Sequence, residues 1–305
     1  METEIVMLDS IKAYNELNGL PTLHPLVTVA DLGKATHTNA AGAVRYNYGV
    51  YALFIKHGAA CSIRYGMHDY DYQEGSVVSF APGQTVQITT RDNEVRPTGV
   101  MGLLFHPDLI YGTSLAQKID SYTFFNYDQT EALHLSKQEQ KSLIDCLHNI
   151  EREMRNPVDR HSRELLCMHI ELFLEYCMRY YDRQFLTRAK VNSDVLQRFE
   201  SDLNAFLSRA GEGLTELPSV KYFAGKACLS PSYFGDLIKK ETGKTAQEYI
   251  QMKLIGKAKQ FLHGSRLSVS QIADMMGFQY PQHFIRLFKK QTGLTPGEYR
   301  QSVDN

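Results

Sequence analysis

YFGDLIKKETG (233–243) and HFIRLFKKQTG (283–293) are two versions of one segment, fifty residues apart at every matching position. Phe234, Leu237 and Ile238 in the first copy, and Phe284, Leu287 and Phe288 in the second, fall at i, i+3 and i+4, which gives one apolar helical face in each. Pro231 and Pro281 stand where a helix needs no amide donor. Gly243 and Gly293 come after the paired lysines Lys239-Lys240 and Lys289-Lys290 and supply a left-handed stop. Each copy is therefore read as a helix of about three turns with its cations at the C-terminal end.

Upstream, VKYFAGKACL (220–229) matches VSQIADMMGF (269–278) at an offset of 49, with Ala224 opposite Ala273. A small residue within a helix, then a tight turn and a second helix, is the helix-turn-helix pattern, in which two helices cross closely. Ser268-x-x-Gln271, Thr245-x-x-Glu248 and Thr295-x-x-Glu298 are capping boxes. Two such units are expected, at about 217–243 and 267–293. The helix between them, about Ala246 to Leu262, spans roughly 25 Å at ~1.5 Å per residue. That is close to the ~34 Å turn of duplex DNA, so two readers on one strut can enter successive major-groove segments.

Charge supports a nucleic-acid partner. Residues 215–305 carry 13 Lys and Arg against seven Asp and Glu, a net of +6, which leaves −7 for residues 1–214 of a chain whose total is −1. The segment 194–300 resembles the DNA-binding domain of the AraC/XylS family of bacterial transcription regulators. LSPSYFGDLIKKETGKTAQEYI is similar to its first recognition helix and the residues after it, and GFQYPQHFIRLFKKQTGLTPGEYR to its second. The resemblance implies double-stranded promoter or operator DNA as partner and RNA polymerase as a further one. It implies a regulator, read as an activator responding to a small-molecule effector; a repressor or an effector-independent regulator is the alternative.

Once the core positions are set aside, the expected DNA-facing residues are Ser232, Tyr233, Asp236 and Lys239 on the first recognition helix and Gln282, His283, Arg286 and Lys289 on the second. Gln282 suits adenine and Arg286 guanine as bidentate partners. Gly235 reaches nothing, and Asp236 accepts from a cytosine amine but is repelled by phosphate. Longer polar side chains are usual at these positions in the family, so the second unit is expected to dominate base readout. Ser230, Lys221, Lys253 and Lys257 are the expected phosphate contacts.

Residues 20–105 alternate apolar and polar in short runs such as RYNYGVYALFI, YDYQEGSVVSF and VQITT, separated by turn signals, as in an antiparallel sandwich or barrel. The strand-rich segment resembles the cupin-like sensor region of the same family, and EGSVVSFAPGQ is similar to the proline-glycine hairpin of that fold. The fold expected is α+β: a cupin-like sensor barrel at 1–134, a helical dimerisation region at 135–182, a linker at 183–193 and an all-α DNA-binding domain at 194–305. Arg45, Tyr46, Tyr48, His57 and Arg64 are the expected ligand-binding residues of the barrel.

A cupin enzyme needs converging histidines and a carboxylate. Here Pro82-Gly83 is followed by Gln84, Thr85, Val86 and Gln87, and no H-x-H pair precedes it. We therefore expect no enzyme, no metal and no cofactor. A DNA-repair alkyl-transfer protein with the same helix pair would need a four-cysteine zinc site, whereas the five cysteines here are scattered. From about Asp159 a helix carries two apolar stripes, Leu166, Ile170, Phe173 and Cys177, and beside it Leu165, Met168, Leu172 and Tyr176. One stripe meets the barrel, and the other a second subunit of a homodimer or further intrachain core. No run approaches the ~18 apolar residues of a membrane span, and a cytoplasmic protein is expected.

Overall fold

The computed structural model describes residues 5–37, 42–57, 75–90 and 99–304. The chain forms two compact units, Met1–Arg188 and Ala189–Asn305. The first unit opens with β1 (Ile5–Leu8), α1 (Ile11–Asn18), β2 (Val27–Asp31), β3 (Gly42–Tyr48) and β4 (Tyr51–His57). It continues with β5 (Gly75–Phe80), β6 (Gln84–Thr90), β7 (Val100–Phe105), two short helices α2 (Pro107–Ile110) and α3 (Ser114–Lys118), and β8 (Leu133–Leu135). Two long helices complete it, α4 (Lys137–Arg155) and α5 (Ser162–Thr187).

These strands form two sheets, β1-β3-β6 and β2-β7-β4-β5-β8, and no closed barrel exists among the described residues. The reason lies at two corners. Tyr48 ends β3 opposite Gln84 of β6, while β4, only two residues later, pairs with β5 and β7. Likewise Pro82-Gly83 joins β5 of one sheet to β6 of the other, so the stretch expected as a hairpin is a crossover. The corners are stitched together: the Gly83 amide donates to the Tyr48 carbonyl at 2.6 Å, and Asn47 Nδ2 donates to the Gly83 carbonyl at 3.1 Å. Gly83 has φ +87° and Gly49 a backbone neighbour 2.8 Å from where a Cβ would stand, so both corners need glycine.

Strand alternation buries the five-stranded sheet on both sides. Ala30, Ala52, Phe54, Phe80 and Leu104 face the small sheet and α1, in a core completed by Tyr14, Tyr46, Tyr48 and Val86. Val27, Leu53, Ile55, Val77, Leu103 and Phe105 face the opposite core, shared with Leu143, Leu147 and Ile150 of α4 and Leu166, Ile170 and Phe173 of α5. Ser136 and Glu139 close a full capping box at the start of α4.

The segment 183–193, expected as a linker, is helical on both sides of Arg188, since α5 runs to Thr187 and α6 (Ala189–Ser208) begins two residues later. Polar anchors hold the end of α5. Gln184 accepts from the His134 amide at 2.7 Å and donates to the Ala132 carbonyl at 3.2 Å, and Arg183 pairs with Glu139 at 3.0 Å. An apolar period is absent here because glutamine and arginine, not leucines, fasten this turn to β8 and α4.

The second unit is all helix: α6, then α7 (Val220–Lys226), α8 (Pro231–Thr242), α9 (Ala246–Gly264), α10 (Val269–Met275), α11 (Pro281–Thr292) and α12 (Pro296–Asp304). Phe199 of α6 meets Phe223, Phe234 and Tyr249 edge-on or tilted at 5.1–5.7 Å, which centres the first half of the core. In the second half Phe284 packs against Phe278 and Phe288, and Phe288 against Tyr299. Arg300 of α12 donates to the carbonyls of Leu262 and Leu267 at 3.0 and 2.8 Å, locking α12 to the end of α9. At 19 residues α9 is about 28 Å long.

Candidate nucleic-acid interface

The first helix of each pair, α7 or α10, carries a fully buried alanine, Ala224 or Ala273, where a larger side chain would have to displace its neighbours. The turn between the helices needs a left-handed residue. The second pair uses Gly277 at φ +82°, while the first places Cys228 there at φ +56°. α8 then starts at Ser230, whose hydroxyl accepts from the Tyr233 amide at 3.2 Å, and ends at left-handed Gly243; α11 ends at Gly293 in the same way.

On α11, Gln282, His283, Arg286 and Lys289 are all exposed. They fall at i, i+1, i+4 and i+7, one face of the helix opposite buried Phe284 and Phe288. Arg286 has no ion-pair or hydrogen-bond partner among the described residues, so its guanidinium is uncommitted. The ring of His283 lies 5.6 Å from that of Tyr280 in an edge-on contact.

α8 differs. Lys239 is exposed, Ser232 and Asp236 are half-buried, and a Cβ at Gly235 would meet nothing within 4 Å. Tyr233, expected on the exposed face, is 1% exposed. It lies four residues before Leu237, so it widens the apolar stripe instead of facing solvent, and it belongs to the core. Of the expected phosphate contacts, Lys221 is exposed at the start of α7 and the Ser230 hydroxyl is engaged as the cap of α8. Lys253 and Lys257, one turn apart on α9, lie 5.5 Å over the rings of Tyr249 and Phe261. Sequence reasoning missed Tyr280. It was visible as the residue at the offset of fifty from Ser230, in a place where a cap belongs.

In the first unit, Tyr46 and Tyr48 of β3 point into the core between the two sheets, each 3% exposed, whereas Arg45 alternates to the outside and is exposed. These three expected ligand residues thus do not share a face. The side chain of His57 and the whole of Arg64 lie outside the described residues. Tyr14 of α1, which the sequence did not place, is buried beside the same tyrosines; burial and the neighbouring phenols push its hydroxyl well above the ordinary phenol value. Among the described residues no group of three His, Cys, Asp or Glu stands together as a metal site, and no helix is long and apolar enough to cross a membrane.

Two crossed helix pairs on one connecting helix, with a basic C-terminal turn on each second helix, are the architecture of a DNA-binding domain. A helix-turn-helix domain family model matches residues 223–302. The chain is 41% identical over 75 residues to the transcriptional regulatory protein YesN of Bacillus subtilis, covering 24% of this chain and 20% of YesN. It is 27% identical over 117 residues to the transcriptional activator RhaR of Escherichia coli K12, covering 38% and 42%. Among solved structures, the C-terminal domain of the response regulator yesN of Fusobacterium nucleatum is 26% identical, with a TM-score of 0.32, covering 35% of this chain and 98% of that one. The chain spans less than half the length of the curated relatives it matches. Residues 223–302 thus carry a helix-turn-helix domain of the AraC type, similar to that of these transcription regulators.

Proposed function

We propose that the protein binds duplex DNA at promoters and regulates transcription, with α11 reading bases through Gln282 and Arg286 while α8 relies on backbone contacts and shape. The observation that carries this reading is the contrast between equivalent faces fifty residues apart. α11 presents an uncommitted guanidinium and an exposed amide; α8 presents Gly235 and a half-buried carboxylate. A bidentate arginine or glutamine distinguishes its base by roughly 1–3 kcal/mol, and glycine by nothing. Lys221, Lys239, Lys253, Lys257 and Lys289 supply the phosphate contacts that set affinity and its salt dependence.

Regulation is activation, as the name of the RhaR relative suggests, and RNA polymerase is the further partner. The first unit is a cupin-like sensor in this reading, with the tyrosine-lined core of Tyr14, Tyr46 and Tyr48 as the place where a small effector enters and biases the arrangement of the two units. A homodimer forms through the second stripe of α5, where Leu165, Met168 and Leu172 are exposed at 41–55%. The protein works in the cytoplasm and catalyses no reaction.

The test is selection of duplexes from a random-sequence pool by the full-length protein, followed by titration of Arg286→Ala and Asp236→Ala on the selected duplex. Arg286→Ala is expected to lose the greater specificity. A greater loss at Asp236→Ala would overturn the assignment of base readout to α11.

A further inference from the structure

The two helix-turn-helix turns are not the same length. Leu229 corresponds to Phe278 at an offset of 49, but Pro231 corresponds to Pro281 at an offset of 50, so the second turn holds one more residue. That change puts Tyr280 where the first unit has Ser230. Ser230 caps α8, whereas Tyr280 makes no side-chain cap, and its carbonyl alone accepts from the His283 amide, at 3.0 Å.

Tyr280 is also a poor residue for the fold by every other measure. It is 58% exposed, and its ring makes an edge-on contact with the ring of His283, itself exposed. A serine would cap the helix and remove an exposed aromatic surface, so local stability does not account for this side chain. The contact with His283 places the phenol next to a residue of the exposed face of α11 that also carries Gln282 and Arg286. The N-terminal residues of a recognition helix contact base edges, and phosphate contacts come from tyrosine among other polar side chains and from helix N-termini. A phenol offers one hydroxyl donor there, next to the positive end of the helix dipole.

We propose that Tyr280 is a DNA-backbone contact of the second helix-turn-helix, its hydroxyl donating to a phosphate oxygen at the rim of the groove that α11 enters. This rests on the reading of α11 as a DNA-facing helix. The contact adds affinity without sequence preference and fixes the angle at which Gln282 and Arg286 approach the bases.

The test uses the full-length protein, wild type and Tyr280→Phe, Tyr280→Ser and Arg286→Ala variants, on a duplex selected from a random pool by the wild type and on a scrambled duplex of the same length. Tyr280→Phe is expected to weaken binding to both duplexes by a similar factor, roughly ten- to a hundredfold for a hydrogen bond to a charged acceptor. Tyr280→Ser is expected to weaken binding at least as much while raising the unfolding midpoint of the C-terminal unit by about 2–6 °C, because it restores a cap. The opposite signs separate a lost contact from a damaged fold. Tyr280→Phe binding as wild type overturns the proposal, as does a loss confined to the selected duplex, which would make the tyrosine a base reader. If Arg286→Ala weakens binding while both Tyr280 variants do not, the inference alone falls. If Arg286→Ala too binds as wild type, or no duplex is selected, the DNA-facing reading of α11 falls with it.

Discussion

The two left-handed turns invite a paired substitution with opposite expected signs. At Gly277, φ is +82° and a Cβ would stand 2.9 Å from the Glu216 carbonyl oxygen and 3.3 Å from the Leu214 Cβ. Gly277→Ala therefore incurs left-handed strain of about 1–2 kcal/mol and a backbone clash of about 1–3 kcal/mol, since the obstacle is a carbonyl and not the end of a side chain. The stiffer unfolded chain offsets about 0.4–1 kcal/mol of this. The net loss is about 2–4 kcal/mol, or roughly 8–16 °C in the unfolding midpoint of a unit this size. The loop that would be pushed is tied to the second pair by the Leu214 amide, which donates to the Met275 carbonyl at 2.9 Å. Cys228→Gly is expected to move the other way, by about 0.5–1 kcal/mol, because it removes the same strain at an exposed position and loses part of that gain to backbone freedom. Denaturant unfolding of the full chain, read by hydrogen exchange at amides of α8 and α11, measures both. A loss below about 1 kcal/mol for Gly277→Ala, or a destabilising Cys228→Gly, would refute the role given to the turns.

Three further outcomes rest on particular contacts. Gln184→Leu should destabilise the first unit by about 1–3 kcal/mol, since it removes the acceptor of the His134 amide and the donor to the Ala132 carbonyl; thermal unfolding checks this. Leu172→Glu, at the centre of the exposed stripe of α5, should shift the protein to a monomer in sedimentation velocity without lowering its unfolding midpoint, and an unchanged sedimentation coefficient would count against the dimer. Glu248 and Glu298 are held below the ordinary glutamate value of 4.5 by the amides and hydroxyls of Thr245 and Thr295. Their stabilisation is thus present above pH 4.5 and lost as pH falls through the lower folded values. Replacing both with glutamine should flatten the acid limb of the C-terminal unit's stability curve.

The C-terminal unit was largely legible because its helices announce themselves locally: Pro231 and Pro281 open them, Thr245, Ser268 and Thr295 cap them, and Gly243 and Gly293 stop them. The face assignment of Tyr233 failed, because an amphipathic tyrosine reads as well on a wet surface as in a core. In the first unit the strand-rich stretch 20–105 was legible, while β1, β8 and the pairing of the strands were not. Whether β6 continues from β5 or crosses to β3 depends on pairings far apart in sequence, and nothing local in SVVSFAPGQ distinguishes a hairpin from a corner. The end of α5 was missed because Arg183 and Gln184 hold it by hydrogen bonds, which leave no apolar period to read. Tyr280 was hidden for a related reason: it stands in the turn, where the two copies differ in length, and outside the helical segment that makes them recognisable as copies.

Gly235 carries a consequence for how such a protein changes over time. A helical glycine with open space around its missing Cβ lowers the stability of α8 by about 1 kcal/mol relative to alanine. Side chains other than proline gain helix propensity there, and their Cβ meets no obstacle within 4 Å. New specificity can therefore be written into the first reader without a backbone clash at this position, which makes it a point of entry for evolution or for engineering a regulator with a longer site.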